Sequence, residues 1–269
     1  MTSPIYLDHN ATTPVDSRVI EAMEPFLHQH FGNPSSRHAY GERARDAVET
    51  ARAQVASLIG ADASEIIFVS GGTEANNFAI RGSAGLHESP AHVITSTIEH
   101  SAVAAPCDRL ESDGWRVTRI GVHNGGRIDV DQLEANIDDD TAIVSMMHGN
   151  NETGVVQPIR RCAELAHAHD AVVHTDAAQT TAKIPVDVDE LGVDFLSLAG
   201  HKMYAPKGIG ALYMRDGRSL KPILAGADHE RGCRPGTEPV PAIVALGEAA
   251  RIAEETLHEE GQRLAELRD

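Results

Sequence analysis

Short, uniformly apolar runs alternate along the chain with longer stretches whose apolar residues recur every three or four positions. EIIFVSG (65–71), AHVITST (91–97), WRVTRIGV (115–122), TAIVSMMHG (141–149), AVVHTDAAQ (171–179), VDFLSLAG (193–200) and GIGALYM (208–214) read as strands. TEANNFAIRGSAG, HSAVAAPCDRLESDG, DVDQLEANI and PIRRCAELAHAHD, which lie between them, read as helices. The second of these ends at a glycine, the third opens on an aspartate cap and the fourth carries proline in its first turn. Such alternation predicts βαβ crossovers and an α/β fold: a mostly parallel seven-stranded sheet between helices. The connection from Pro206 to Ile209 is too short to hold a crossover helix, so GIGALYM is expected to pair antiparallel. PVPAIVALGEAARIAEETLHEEGQRLAELRD (239–269) reads as one long amphipathic helix. There is no internal repeat and no low-complexity linker.

Composition narrows the function classes. The 269 residues suffice for a substantial core, and the apolar share of 41% is ordinary. No apolar run is long enough to cross a bilayer. MTSPIYLDHN has neither a basic start nor an apolar stretch, so no signal peptide is expected. Three cysteines, Cys107, Cys162 and Cys233, are odd in number and far apart. They point to a reducing cytoplasm and not to a disulfide framework. The net charge of −17 leaves no basic face for nucleic acid. Abundant Asp and Glu with scarce Lys suits a halophilic protein, and a GC-rich genome is the alternative explanation. No HExxH and no paired CxxC is present, so no metal site is expected.

Candidate chemistry gathers just after the strands. In open parallel sheets ligands bind at the carboxyl ends of the strands. Those positions hold Gly71-Gly72-Thr73, Glu99-His100, Asn150-Asn151, Asp176 with Gln179, and His201-Lys202. The chain has only four lysines. A lysine desolvated at a strand end becomes a usable nucleophile, for instance toward an aldehyde cofactor. Asp176 could hold the ring nitrogen of pyridoxal phosphate, or simply cap the next helix. Gly71-Gly72-Thr73 opens a helix and offers N–H groups to a phosphate. GGTEANN is neither a Walker loop nor a GxGxxG. His100 could stack on a cofactor ring and move protons. The histidines of HAHD (167–170) read as helix-surface residues.

Eight stretches resemble, in order and spacing, the cysteine desulfurases of the class V aminotransferase family. They are YLDHNATTP, FGNPSSRHAYG, FVSGGTEANN, STIEHSAV, MMHGNNETGVVQP, HTDAAQ, GHKMYAPKGIGALYM and ERGCRPGTE. The resemblance implies the fold-type I pyridoxal-phosphate architecture, a homodimer and active sites at the subunit interface. Lys202 would bond the cofactor aldehyde, Asp176 would hold its ring nitrogen, and His100 would stack on the ring. Gln179 and Asn151 would lie near its phenolic oxygen and the substrate. Gly72, Thr73 and His201 would bind the phosphate, joined by Thr237 from the partner subunit. Asn33 matches a stretch near the substrate. The implied reaction takes L-cysteine to L-alanine and leaves a protein-bound persulfide for iron–sulfur cluster or thio-cofactor assembly, through a sulfur-acceptor or scaffold protein.

Two departures from the family pattern stand out. The family carries a phosphate-binding serine where this chain has Ala199. Family members also continue for roughly another hundred residues, which hold the small domain, the persulfide-forming cysteine and a carboxylate-binding arginine. The expected division is an N-terminal segment (1–15), a large cofactor domain (16–240) and the start of a linking helix (241–269). Cys107 and Cys162 read as helix-packing residues, and Cys233 lies beside the Thr237 stretch. The alternatives are a non-catalytic remnant, half of a split enzyme, or another class V reaction such as selenocysteine lyase or aminotransferase chemistry.

Overall fold

A computed structural model describes residues 4–269 of the chain. Residues 1–3, where the leader reading and the 1–15 segment begin, lie outside the described residues. Seven strands form one sheet: β1 (Ile66–Val69), β2 (His92–Ser96), β3 (Arg116–Ile120), β4 (Thr141–Ser145), β5 (Val172–Asp176), β6 (Phe195–Ala199) and β7 (Gly210–Met214). Their order is β1-β7-β6-β5-β4-β2-β3. The pairs among β3, β2, β4, β5 and β6 are parallel. β7 runs antiparallel to both β6 and β1, as its short connection requires.

The α-helices among the described residues are α1 (Ser17–His28), α2 (Ala39–Leu58), α3 (Gly72–Ala84), α4 (Ser101–Ser112), α5 (Val130–Asn136), α6 (Ile159–His167), α7 (Val188–Leu191) and α8 (Val240–Arg268). Strand side chains alternate between the two faces of the sheet. Ile94, Val144 and Leu196 join the core shared with α2, α6 and α8. Their neighbours Val93 and Ile143 turn to the opposite face, against Ile80 of α3 and Val103 of α4. Both faces are covered, so central strands are buried along their whole length and read as continuous apolar runs.

The helical stretch expected through Asp170 stops at His167, because Ala171 N–H returns to Ala166 carbonyl and Asp170 turns left-handed. His167 and His169 lie on the surface as expected, each against an aspartate, Asp194 and Asp139. α1 and α2 precede the first strand and are not crossovers, so the alternating pattern does not announce them. They pack against the first half of α8, whose buried residues run from Val240 to Ile252. Gly247 permits that approach: a Cβ there would stand 2.5 Å from Ala51 Cα.

Candidate active site

The carboxyl ends of the strands open into a cavity of about 1060 Å³. Eight of the ten residues singled out from the sequence line it: Gly72, Thr73, His100, Asn151, Asp176, Gln179, His201 and Lys202. The other two do not. Asn33 is exposed, and its Oδ1 accepts from Ser35 N–H. Thr237 is exposed on the connection into α8.

One end of the cavity is built for an anion. The turn from β1 into α3 passes through Gly71 at φ 148°, a conformation that favours glycine. The first N–H groups of α3 have no helical carbonyl to bind and lie at the positive end of its dipole. Gly72 brings the backbone close, with room for only a 3.3 Å contact between a Cβ there and Ala199 Cβ. Glu74 lies beside this cradle but is occupied. Its carboxylate accepts from Ser70 N–H at 2.6 Å and from Arg234 at 2.9 and 3.2 Å. Burial pushes that carboxyl up, and the Arg234 and Ser70 hydrogen bonds outweigh it, leaving Glu74 below the usual range.

Asp176 ends β5 and is buried. Its Oδ2 accepts from Asn76 Nδ2 at 2.6 Å and its Oδ1 from Ala178 N–H at 3.0 Å. Burial raises its pKa, against the pull of Ala178, Asn76, His100 and Lys202. A cationic ring N–H at this carboxylate would offset the cost of burying its charge. His100 caps α4, its Nδ1 accepting from Ala102 N–H at 3.1 Å. In the neutral ring the proton therefore sits on Nε2.

Lys202 ends a 3-10 turn, Gly200–Lys202, directly after β6. Its Nζ donates to the carbonyls of Asn10 and, at 3.1 Å, Ala11. Burial lowers its pKa, opposed by Asp176 and Asp8. A lowered amine pKa makes the free base, the nucleophilic form, easier to reach. The segment from Asp8 to Thr13 crosses this end of the cavity. His201 carbonyl accepts from Thr13 N–H at 2.9 Å, and His201 Nδ1 sits 3.2 Å from Thr12 Oγ1.

Several supporting contacts escaped the sequence reading. Asn76 fixes Asp176 from a position 100 residues away. Lys183 Nζ donates to Gln179 Oε1 at 2.8 Å. Glu99 precedes His100, and its carboxyl is enclosed. Oε1 accepts from Ser96 Oγ and from Met147 N–H at 2.9 Å, while Oε2 has no partner among the described residues. Burial raises its pKa to about 8. His174, two residues before Asp176 on β5, bridges Ser145 and Ser197 at 2.8 and 3.0 Å, and burial keeps it neutral. Glu99 was noted beside His100, but its supporting role, like that of the others, rests on contacts that only the fold creates.

The set fits pyridoxal phosphate: a lysine amine, a buried carboxylate, a helix N-terminus with free N–H groups and a lining imidazole occupy one cavity. The description Aminotransferase class-V matches residues 5–267 of the chain. The cysteine desulfurase IscS of Dictyoglomus turgidum is 48% identical over the whole chain, which spans 68% of that protein's length. A solved NifS-like protein superposes with a TM-score of 0.95 at 38% identity, covering 98% of this chain and 73% of that one. A second solved structure, SspA in complex with cysteine, gives a TM-score of 0.89 at 45% identity over 91% of this chain and 72% of its own. The chain belongs to the pyridoxal-phosphate-dependent cysteine desulfurases of the class V aminotransferase family.

Proposed function

We propose that Lys202 bonds the aldehyde carbon of pyridoxal 5'-phosphate in this cavity and that the substrate is L-cysteine, converted to L-alanine with its sulfur passed to an acceptor thiolate. The observation that carries this reading is the convergence of Lys202, Asp176 and the α3 N-terminus on one cavity. When bound, the cofactor supplies an electron sink for bond changes at the substrate carbon that carries nitrogen. Asp176 keeps the ring nitrogen protonated. Gly72, Thr73 and His201 hold the phosphate. His100 covers the ring and carries a proton on Nε2. Gln179 and Asn151 face the phenolic oxygen and the substrate. The names of the relatives favour desulfurase chemistry over aminotransferase or selenocysteine lyase chemistry.

The sulfur acceptor is a thiolate from outside these residues. Cys107 and Cys162 are buried, and burial pushes both thiols up to about 12. Burial also raises Cys233, which does not line the cavity. Reactive cysteines need the opposite environment. Exposed Thr237 contributes through a homodimer to the partner's phosphate, and Asn33 belongs to a stretch near the substrate. The three free cysteines suit a cytoplasmic location, and no helix of the described residues is long and apolar enough to cross a membrane. We assign 16–240 to a large domain and 241–269 to a linking helix, on which Leu264 and Leu267 are exposed. Iron–sulfur or thio-cofactor assembly is the destination we assign to the sulfur.

The test is borohydride reduction of the loaded protein followed by peptide mapping. The adduct is expected on Lys202, and Lys202→Ala should lose both the adduct and the visible absorbance band. A reducible linkage that survives in the alanine variant refutes the assignment.

A further inference from the structure

Of the four lysines, three gather at this cavity. Lys202 and Lys207 line it, and Lys183 reaches it through Gln179. Lys183 follows a tight turn in which Thr180 and Thr181 N–H both bond Ala177 carbonyl. Ala182 holds φ 66°, a left-handed conformation that costs an alanine energy and folds residue 183 back over residue 179. The result is a relay of hydrogen bonds. Lys183 Nζ donates to Gln179 Oε1 at 2.8 Å, and Gln179 Nε2 donates to Asn10 carbonyl at 3.0 Å. That same carbonyl accepts from Lys202 Nζ.

A carboxamide has an accepting and a donating side, and exchanging them takes only a half-turn of the group. An ammonium has three donors and accepts nothing, so it can bond only the oxygen side. We propose that Lys183 is a positioning residue for the cofactor site, holding Gln179 by its oxygen so that the amide presents NH2 to the cavity. This rests on the cavity being the pyridoxal-phosphate site. Burial, and secondarily the charge of Lys202, lower the Lys183 pKa to about 8, which leaves the ammonium predominant at neutral pH. The titratable groups lining the cavity are Asp8, Glu74, His100, Glu152, Asp176, His201, Lys202 and Lys207. An anionic oxygen beside Gln179 then meets a donor. Without Lys183 only the Nε2 bond to the Asn10 carbonyl opposes turning of the amide, and with its oxygen inward an acidic group on the ligand would hold its proton more tightly.

The experiment is a pH titration of the visible band of the cofactor-loaded protein, with thermal unfolding measured alongside. Lys183→Met should raise the titration midpoint by about one pH unit, about tenfold in proton affinity. Lys183→Glu should raise it as well, because its carboxylate draws the Gln179 NH2 away. Lys183→Gln and Lys183→Arg keep a donor for Oε1 and should titrate like the wild type. A midpoint that Lys183→Met leaves in place overturns the proposal. So does failure of both Gln and Arg to restore it, or failure of both Met and Glu variants to fold, which would make Lys183 purely structural. Absence of any band in the wild type defeats the cofactor reading itself, whereas a band insensitive to Lys183→Met defeats only this inference.

Discussion

Replacing Glu230 by glutamine should destabilise the protein far more than an ordinary surface change, although the residue is remote from Lys202. Glu230 and Arg52 form a buried ion pair, with side chains only 3% and 4% exposed. Arg52 donates to Glu230 Oε2 at 2.8 Å and to Oε1 at 3.0 Å, and Phe68 N–H donates to Oε2 at 2.9 Å. Three donors thus converge on two carboxylate oxygens. Glutamine has one oxygen, so at least one donor would face an NH2 group. The Arg52 charge would also remain buried, with the Ile66 carbonyl at 2.8 Å, the half-exposed Glu49 carboxylate at 3.2 Å and the Glu238 carboxylate at 4.0 Å left to compensate it. Breaking a buried pair from one side costs about 3–5 kcal/mol. For a domain of this size that corresponds to a fall in Tm of roughly 6–20 °C. Urea unfolding can be followed by the fluorescence of the single tryptophan, Trp115, which is buried in a separate cluster and so reports global loss of structure. The double variant Arg52→Met with Glu230→Gln should cost less than the two singles added together. A loss below about 1 kcal/mol for Glu230→Gln, the worth of a neutral hydrogen bond, would refute the reasoning.

Ala199→Ser should slow loss of cofactor on dialysis about tenfold or more, since one hydrogen bond to a charged group contributes about 1.5–3 kcal/mol; equal retention would show that this position does not reach the phosphate. Glu99→Gln should change how stability depends on pH. The folded carboxyl titrates near 8 and the unfolded one near 4.5, so folding takes up a proton in that window and wild-type stability falls relative to the glutamine variant as pH rises from 4.5 to 8. Parallel stability curves across that window would mean that Glu99 is ionised in the fold. Dilution from concentrated to low salt should lower the Tm, because self-repulsion at a net charge of −17 is then least screened; a Tm indifferent to salt removes the halophilic reading.

The fold was legible where the sequence repeats itself. Strands buried on both faces are uniformly apolar, and the length of each connection decides between parallel and antiparallel pairing, which is why β7 could be assigned in advance. The site was legible where the chemistry sits at strand ends, since topology alone brings Gly72, His100, Asp176 and Lys202 together. What supports those groups was not. Asn76 on Asp176, Lys183 on Gln179, and the Asp8–Thr13 segment on Lys202 are contacts between residues whose types are ordinary and whose partners lie elsewhere in the chain. Glu99 shows the limit most plainly. It was noticed beside His100, but only the enclosure of its carboxyl distinguishes it from a surface glutamate.

The place of β7 in the sheet constrains how the protein is made. Ile66 of β1 pairs with Tyr213, and β1 has no other strand neighbour. During synthesis β1 therefore waits, with both edges open, until nearly 150 more residues have emerged. The turn that bears Lys202 is completed in the same short interval, since β7 follows it directly. The helix N-terminus at the end of β1 and the Lys202 amine at the end of β6 are thus brought together by one late event, insertion of β7 between those two strands. A nascent chain can neither close its sheet nor capture the cofactor before that insertion, so the interval before it is the one most exposed to misassociation.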